Sequence, residues 1–178
     1  MLAAVAEQAS LRGLPNIATR EAAAESLPFE TATFDVVATR FSAHHWHAFA
    51  EGIAEMARVL KPGGLALMSD MVSPGTSLLD TWLQTLELLR DPSHVRDAST
   101  TEWHAALSAA GLAIERTEHF RLRLDFATWV ARMDTPEPQV TAIRMLQARA
   151  ASAVRDHFEM EEDGSFTVDT AVLVARKT

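Results

Sequence analysis

The sequence predicts an α/β fold, a doubly wound sheet with helices on both faces, and two observations carry that prediction. The first is a pair of compact apolar runs: Phe34 to Phe41, which contains Val36 and Val37 and alternates little, and Leu65-Ala66-Leu67-Met68-Ser69. Such runs fit strands covered on both faces of a parallel sheet. The second lies between them, where Phe49, Ile53, Met56, Ala57 and Leu60 recur at the three- and four-residue steps of an amphipathic helix that Lys61-Pro62-Gly63-Gly64 stops. Strand, helix, turn and strand within about 35 residues make a βαβ unit, whose crossover is right-handed. With 178 residues, 48% hydrophobic and 22% charged, the chain is sized for one domain, 1–178, around a single core.

The remaining elements follow in order. From Met1 to about Arg12 helix formers dominate, and Gly13 and Pro15 punctuate the end. Asn16 to Glu21 reads as a short strand, and Ala22 to Phe29 as a loop carrying Glu25, with Pro28 holding Leu27 extended. Leu78, Leu79, Trp82, Leu83, Leu86 and Leu89 mark a helix that ends before Asp91-Pro92; with the irregular Ser93 to Ala98 it makes residues 76–98 an insertion. Ser99 and Glu102 form a capping box that opens a helix running to Ala110, and Gly111 stops it. Leu112 to Leu124 is a strand with interleaved charges, and Phe126 to Met133 a short helix broken by Thr135-Pro136-Glu137-Pro138. Val140, Ile143, Leu146, Ala150, Val154 and Phe158 predict one long helix, and Phe166 to Ala175 a closing strand.

A formal charge of -8 disfavours nucleic acid and anionic membranes as partners and favours small molecules or proteins. The absence of cysteine excludes disulfides and thiolate metal sites. No secretory signal and no apolar run of membrane-spanning length is present, so a cytoplasmic location is the expectation.

In an open α/β sheet, ligands sit beyond the carboxyl ends of the strands. Arg40, Ser42, His44, His45 and Trp46 follow the Phe34 strand there. A histidine pair at a strand end can act as a general base near neutral pH, although either ring can equally cap the next helix or face solvent. His44, His45 and His47 cannot all converge on one metal from a single strand end, so no metal site is expected. Arg90 or Arg96, with His94 beside them, can hold an anionic group, while Asp91 and Asp97 can instead pair with those arginines as a loop clasp. Trp82, Trp103 and Trp129 lie among leucines at helical spacing and read as core.

Three blocks carry a resemblance: Ala24-Glu25-Ser26-Leu27-Pro28-Phe29, Phe34-Asp35-Val36-Val37, and Leu60-Lys61-Pro62-Gly63-Gly64 before its strand. In order and spacing they resemble the middle of a class I S-adenosylmethionine-dependent methyltransferase of the small-molecule type, related to the ubiquinone/menaquinone methyltransferases. The resemblance implies a Rossmann-like sheet, S-adenosylmethionine as cofactor and a small-molecule methyl acceptor. By position it assigns Ala24 and Glu25 to the adenine side of the cofactor and Arg40, Phe41 and Ser42 to its sulfonium end. It makes His44 or His45 the base, and Trp46, Arg90, His94 and Arg96 substrate-side groups, with 76–98 as a lid.

The family's Gly-rich cofactor loop and the acidic residue that holds the ribose are not in this sequence, and Ala23 stands where the family commonly has aspartate. The expectation is therefore an N-terminally truncated version without the first two strands, binding S-adenosylmethionine weakly or not at all. The Phe34 strand is then left with an open edge, which either the Asn16 strand or a second copy, as a homodimer, would cover. The alternative reading is a non-catalytic methyltransferase-like module acting through oligomerisation.

Overall fold

The computed structural model describes residues 2–178. Among them a four-stranded sheet is formed by β1 (Phe34–Arg40), β2 (Leu60–Met71), β3 (Leu112–Leu124) and β4 (Phe166–Lys177), in the order β1-β2-β4-β3. β1 runs parallel to β2, and β4 antiparallel to both of its neighbours. The α-helices are α1 (Leu2–Leu11), α2 (Phe49–Val59), α3 (Ser77–Arg90), α4 (Thr100–Ala109), α5 (Phe126–Ala131), α6 (Glu137–Ala148) and α7 (Ser152–His157).

Because successive side chains of a strand point to opposite faces, β4 serves two cores. Ala171, Leu173 and Ala175, with Ala66 and Met68 of β2, meet Ile53 and Met56 of α2 and Trp103 and Leu107 of α4. Phe166 and Val168, with Met71, meet Leu83 and Leu86 of α3, Ile143 of α6 and Val154 of α7. Helices thus cover both faces, as the sequence predicts, and each fully buried leucine or phenylalanine contributes about 1.5–3 kcal/mol by leaving water. The Ser99–Glu102 capping box is present in both directions, Ser99 Oγ accepting from Glu102 N and Glu102 Oε2 from Ser99 N. Trp103 and Trp129 are buried and Trp82 is half-buried against Phe158 and Phe166, so the tryptophans are core.

Four expectations are corrected. Asn16 to Glu21 forms no strand: it has no ladder partner, and a strand is stable only through its neighbours. β1 lies at the sheet edge with Val36 51% exposed, so it is not covered on both faces. The Lys61-Pro62-Gly63-Gly64 turn is absorbed into β2, where the pairing with β1 jumps from Phe34↔Leu60 to Val36↔Leu65 and Gly63 takes φ 74°. The long helix is two, because Ala151 is extended (φ -61°, ψ 153°) between α6 and α7; the bend returns Val154 and Phe158 to the core, and Arg155 donates to the freed Ala150 carbonyl. The first residue of the predicted N-terminal helix, Met1, lies outside the described residues.

Candidate functional site

The site is built where β1 and β2 end. Phe41 leaves β1 in the left-handed region at φ 46°, a conformation that costs a non-glycine residue about 1 kcal/mol or more. That turn directs the Ser42 and Ala43 N–H groups onto Oδ2 of buried Asp70, at 3.1 and 2.9 Å. Oδ1 accepts from Met71 N at 3.0 Å and lies 2.6 Å from Nδ1 of His44. Asp70 therefore engages four groups, which uses the lone pairs a carboxylate offers. Nδ1–H of His44 is the donor to Asp70, and Nε2 has no hydrogen-bond partner among the described residues. The His44 carbonyl accepts from Val95 N and Arg96 N, at 2.8 and 3.1 Å, so segment 91–98 is stitched to this turn. Desolvation pulls the His44 imidazole down, but the hydrogen bond and charge of Asp70, helped by Asp97 and Glu87, leave it above its ordinary value.

Behind His44 lies a buried polar chamber. Asp97 is fully buried, neither of its oxygens has a partner, and Oδ1 is 4.0 Å from His44 Nδ1. Burial, with the charge of Glu87, pushes the Asp97 carboxyl up to about 8. Glu87 is buried on α3 and pairs with Arg90 at 2.7 Å, and burial raises it too. His94 donates through Nε2 to Gln84 Oε1 at 2.8 Å, its Nδ1 is buried without a partner, and burial lowers it to about 4. Gln84 also accepts from Asp97 N and donates to Asp97 O, fixing the segment to α3.

In front lies a cavity of about 630 Å³ along the outer edge of β1, within the range of small-molecule sites. Its wall is loop 22–29, held by α2: Arg58 donates to the Phe29 and Leu27 carbonyls and Glu55 accepts from Leu27 N. Glu25 Oε1 accepts from Ala48 N at 3.0 Å, which closes one end. The apolar surface of Leu27, Phe29 and Val36 with the small Ala24 suits a flat heteroaromatic ring, and Ser42 and His45 supply polar groups at the far end. The residues present thus fit the adenosyl part of S-adenosylmethionine.

Of the expected site residues, Ala24, Glu25, Ser42, His45 and Trp46 line this cavity. His44 sits between two of them with its ring turned to Asp70. Arg40 is exposed and stacks over the Phe41 ring at 5.0 Å, and neither is in the lining. Arg90 spends its guanidinium on Glu87 and the Trp129 carbonyl, and Arg96 on Asp80 and Glu102. The clasp expected from Asp91 and Asp97 is therefore made by Glu87, Asp80 and Glu102. His94 faces the chamber, not the cavity.

Sequence reasoning missed the acids. Asp70 ends an apolar strand at the sheet's carboxyl edge, and Glu87 stands four residues after Leu83 on the apolar stripe of α3, so both carried a signal. Asp97, between exposed Arg96 and buried Ala98, carried none. His44, Asp70 and Asp97 bring potential ligand atoms within 4.8 Å of one another, but Asp70 has no lone pair left for an ion, so the trio suits proton handling better than metal binding.

A mixed sheet in this order, with helices on both faces, a His–Asp pair at the carboxyl ends of β1 and β2 and a cavity along its edge strand, is a Rossmann-like architecture. A family model described as a methyltransferase domain matches residues 1–68. The chain is 46% identical to the uncharacterized protein YafE of Escherichia coli over 99% of its own length and 86% of that protein. It is 36% identical to the uncharacterized methyltransferase YcgJ of Bacillus subtilis over 83% of its length, spanning 58% of that relative. The crystal structure of YcgJ superposes with a TM-score of 0.95 at 32% identity, covering 99% of this chain and 78% of that one. The chain belongs to the class I S-adenosylmethionine-dependent methyltransferases, and by family it is an enzyme of S-adenosylmethionine-dependent methylation. Among the described residues no helix is long and apolar enough to cross a membrane.

Proposed function

We propose that the protein transfers a methyl group from S-adenosylmethionine to a small-molecule acceptor, with His44 as general base and Asp70 as its orienting partner. The observation that carries this reading is the 2.6 Å contact from His44 Nδ1 to Asp70, which leaves Nε2 as the basic nitrogen at the carboxyl edge of the sheet. The cofactor supplies an activated methyl group on a sulfonium. An acceptor held in line with that methyl would give up its proton to His44 Nε2 as its electron pair is engaged. Asp70 stabilises the imidazolium that results. Ala24, Glu25, Ser42 and Trp46 line the space for the adenosyl group, and His45, held by Ser93 at 3.1 Å, borders the acceptor. Segment 76–98, bonded to the His44 carbonyl, serves as the lid over the acceptor.

In the 178-residue chain cofactor affinity is weak, because no Gly-rich loop cradles the methionine end; titration calorimetry checks this, and tight binding would overturn it. The partner proposed besides the acceptor is a second copy of the chain. The non-catalytic alternative has no observation in its favour, since a desolvated, ordered His–Asp pair is what base catalysis needs. The test is methyl transfer from labelled S-adenosylmethionine at millimolar concentration to a panel of phenolic and enolisable small molecules. His44→Ala is expected to abolish most of it while the protein stays folded, at a thermal midpoint lowered by the hydrogen bond that buried Asp70 loses; equal transfer by both would remove the base assignment.

A further inference from the structure

The chamber behind His44 contains a carboxyl group that the mechanism leaves unused. An ionised carboxylate without a hydrogen-bond partner is expensive to bury, and Asp97 has 0% exposure with both oxygens unpartnered. It is not displaced from the site, since Gln84 grips its backbone on both sides at 3.0 Å. Its side chain points at the catalytic pair: Oδ1 is 4.0 Å from His44 Nδ1, and Oδ2 is 3.9 Å from His94 Nε2. The titratable groups that face it are His44 on the turn after β1, Asp70 at the end of β2, Asp80 and Glu87 on α3, and His94 on its own segment.

We propose that Asp97 is a positioning residue that sets the proton affinity of His44: as the neutral acid it leaves Asp70 the only anion at Nδ1, and on ionising it becomes a second anion there and strengthens the base. This rests on the reading of His44 as the base. The two groups titrate as a coupled pair, because a protonated His44 favours the ionised form of Asp97 and the reverse holds equally. Glu87 and Asp70 oppose ionisation of Asp97, and burial opposes it most, which together hold it near 8. A cationic His44 is the one neighbour here that pulls it down. Asp97 changes no bond in the methyl transfer. It determines at what pH His44 is free to accept the acceptor's proton, and how strongly.

The experiment is an NMR titration of the His44 ring nitrogens in the chain itself, without cofactor or acceptor. His44→Gln assigns the signal among the seven histidines, and Asp97→Asn is compared with the parent. The parent is expected to titrate in a broadened, two-step curve. Asp97→Asn is expected to give a single step with a midpoint lower by about half a pH unit or more. Asp97→Ala, which removes the acid without adding an amide, should give the same single step and guards against a misfolded first variant. A parallel kcat/KM profile is expected to begin its rise at lower pH in Asp97→Asn and to reach a plateau several-fold lower, since a weaker base transfers the proton less readily. A purely structural Asp97 would change the melting temperature and leave the His44 curve untouched, and an unchanged curve in both variants overturns the proposal. If the curve shifts but methyl transfer is indifferent to His44→Gln, the base assignment falls and the coupling stands.

Discussion

At Asp70 two jobs converge, ordering the strand end and orienting an imidazole, so substitution there separates poorly into stability and activity. Asp70→Asn keeps the shape but offers one N–H₂ edge where Ser42 N, Ala43 N or His44 Nδ1–H now donate. A loss of about 2 kcal/mol in urea denaturation is expected, the usual size for a buried hydrogen bond to a charged group, with methyl transfer falling further than stability accounts for. His44→Ala is the cleaner probe, and a decrease of about 10²–10⁴-fold in kcat is the range for a general base. The rate should rise with pH through the His44 value, which lies above its ordinary 6.5, because only the neutral ring accepts a proton. Stability responds to two other groups. His94, lowered to about 4, binds fewer protons folded than unfolded, so its contribution is lost as pH falls from about 6.5 through 4. Asp97, raised to about 8 from 3.8, keeps a proton the unfolded chain releases, so its contribution is lost as pH rises across that interval. The slopes oppose one another below pH 6.5, and His94→Gln is expected to unmask the Asp97 fall there. Urea midpoints of the variant at pH 5 and 6.5 check this, a flat response counting against it.

At the scale of elements Gln84 is the main side-chain tie between α3 and segment 91–98. Gln84 on α3 accepts from His94 Nε2 and Asp97 N and donates to Asp80 and the Asp97 carbonyl. Gln84→Leu leaves those buried donors unpaired, at about 1–3 kcal/mol each; a lower urea midpoint with an unchanged slope is expected, together with faster amide exchange at Val95 and Arg96. The same seam explains what could be read from the sequence here. The helix Ser77–Arg90 was legible because Leu83 and Leu86 repeat at helical spacing, and the capping box because its two residues are three apart. The chamber was not, since charge reads as surface until a tertiary neighbour removes the water, and Asp97 acquires its environment from α3, β2 and the turn at His44 together. The break between α6 and α7 was illegible for a similar reason: Arg149-Ala150-Ala151 holds neither glycine nor proline, and the bend is made by packing of Val154 and Phe158 on α3.

At the scale of the whole molecule the two sheet edges differ in how they are protected. β3 carries Arg116, Glu118, Arg121 and Arg123 along its length, and interleaved charge discourages pairing with another chain. β1 offers Val36, Val37 and Ala38 between Asp35 and Arg40, with Asp35 neutralised by Lys61 at 2.8 Å. Its unpaired backbone groups and half-exposed Val36 line the cavity proposed for the adenosyl group, so self-pairing here belongs to the cofactor-free chain and competes with the cofactor; Val5, Leu11, Leu14 and Ile17 of the N-terminal region are also exposed. A strand of this kind is complementary to a second copy of itself, since two such edges related by a twofold axis can exchange hydrogen bonds antiparallel. The sequence reading gave this edge either an Asn16 strand or a second copy as its cover; residues 16–21 form no strand, which leaves the second copy. Scattering of the 178-residue chain is therefore expected to give twice its 19.5 kDa mass, with slow amide exchange along β1. Val36→Lys places a charge in the pairing edge and should return the mass to that of one chain while leaving the β2–β4 core unchanged. A parent that stays at one chain's mass at high concentration, with fast exchange at Val36 to Ala38, would refute the self-pairing.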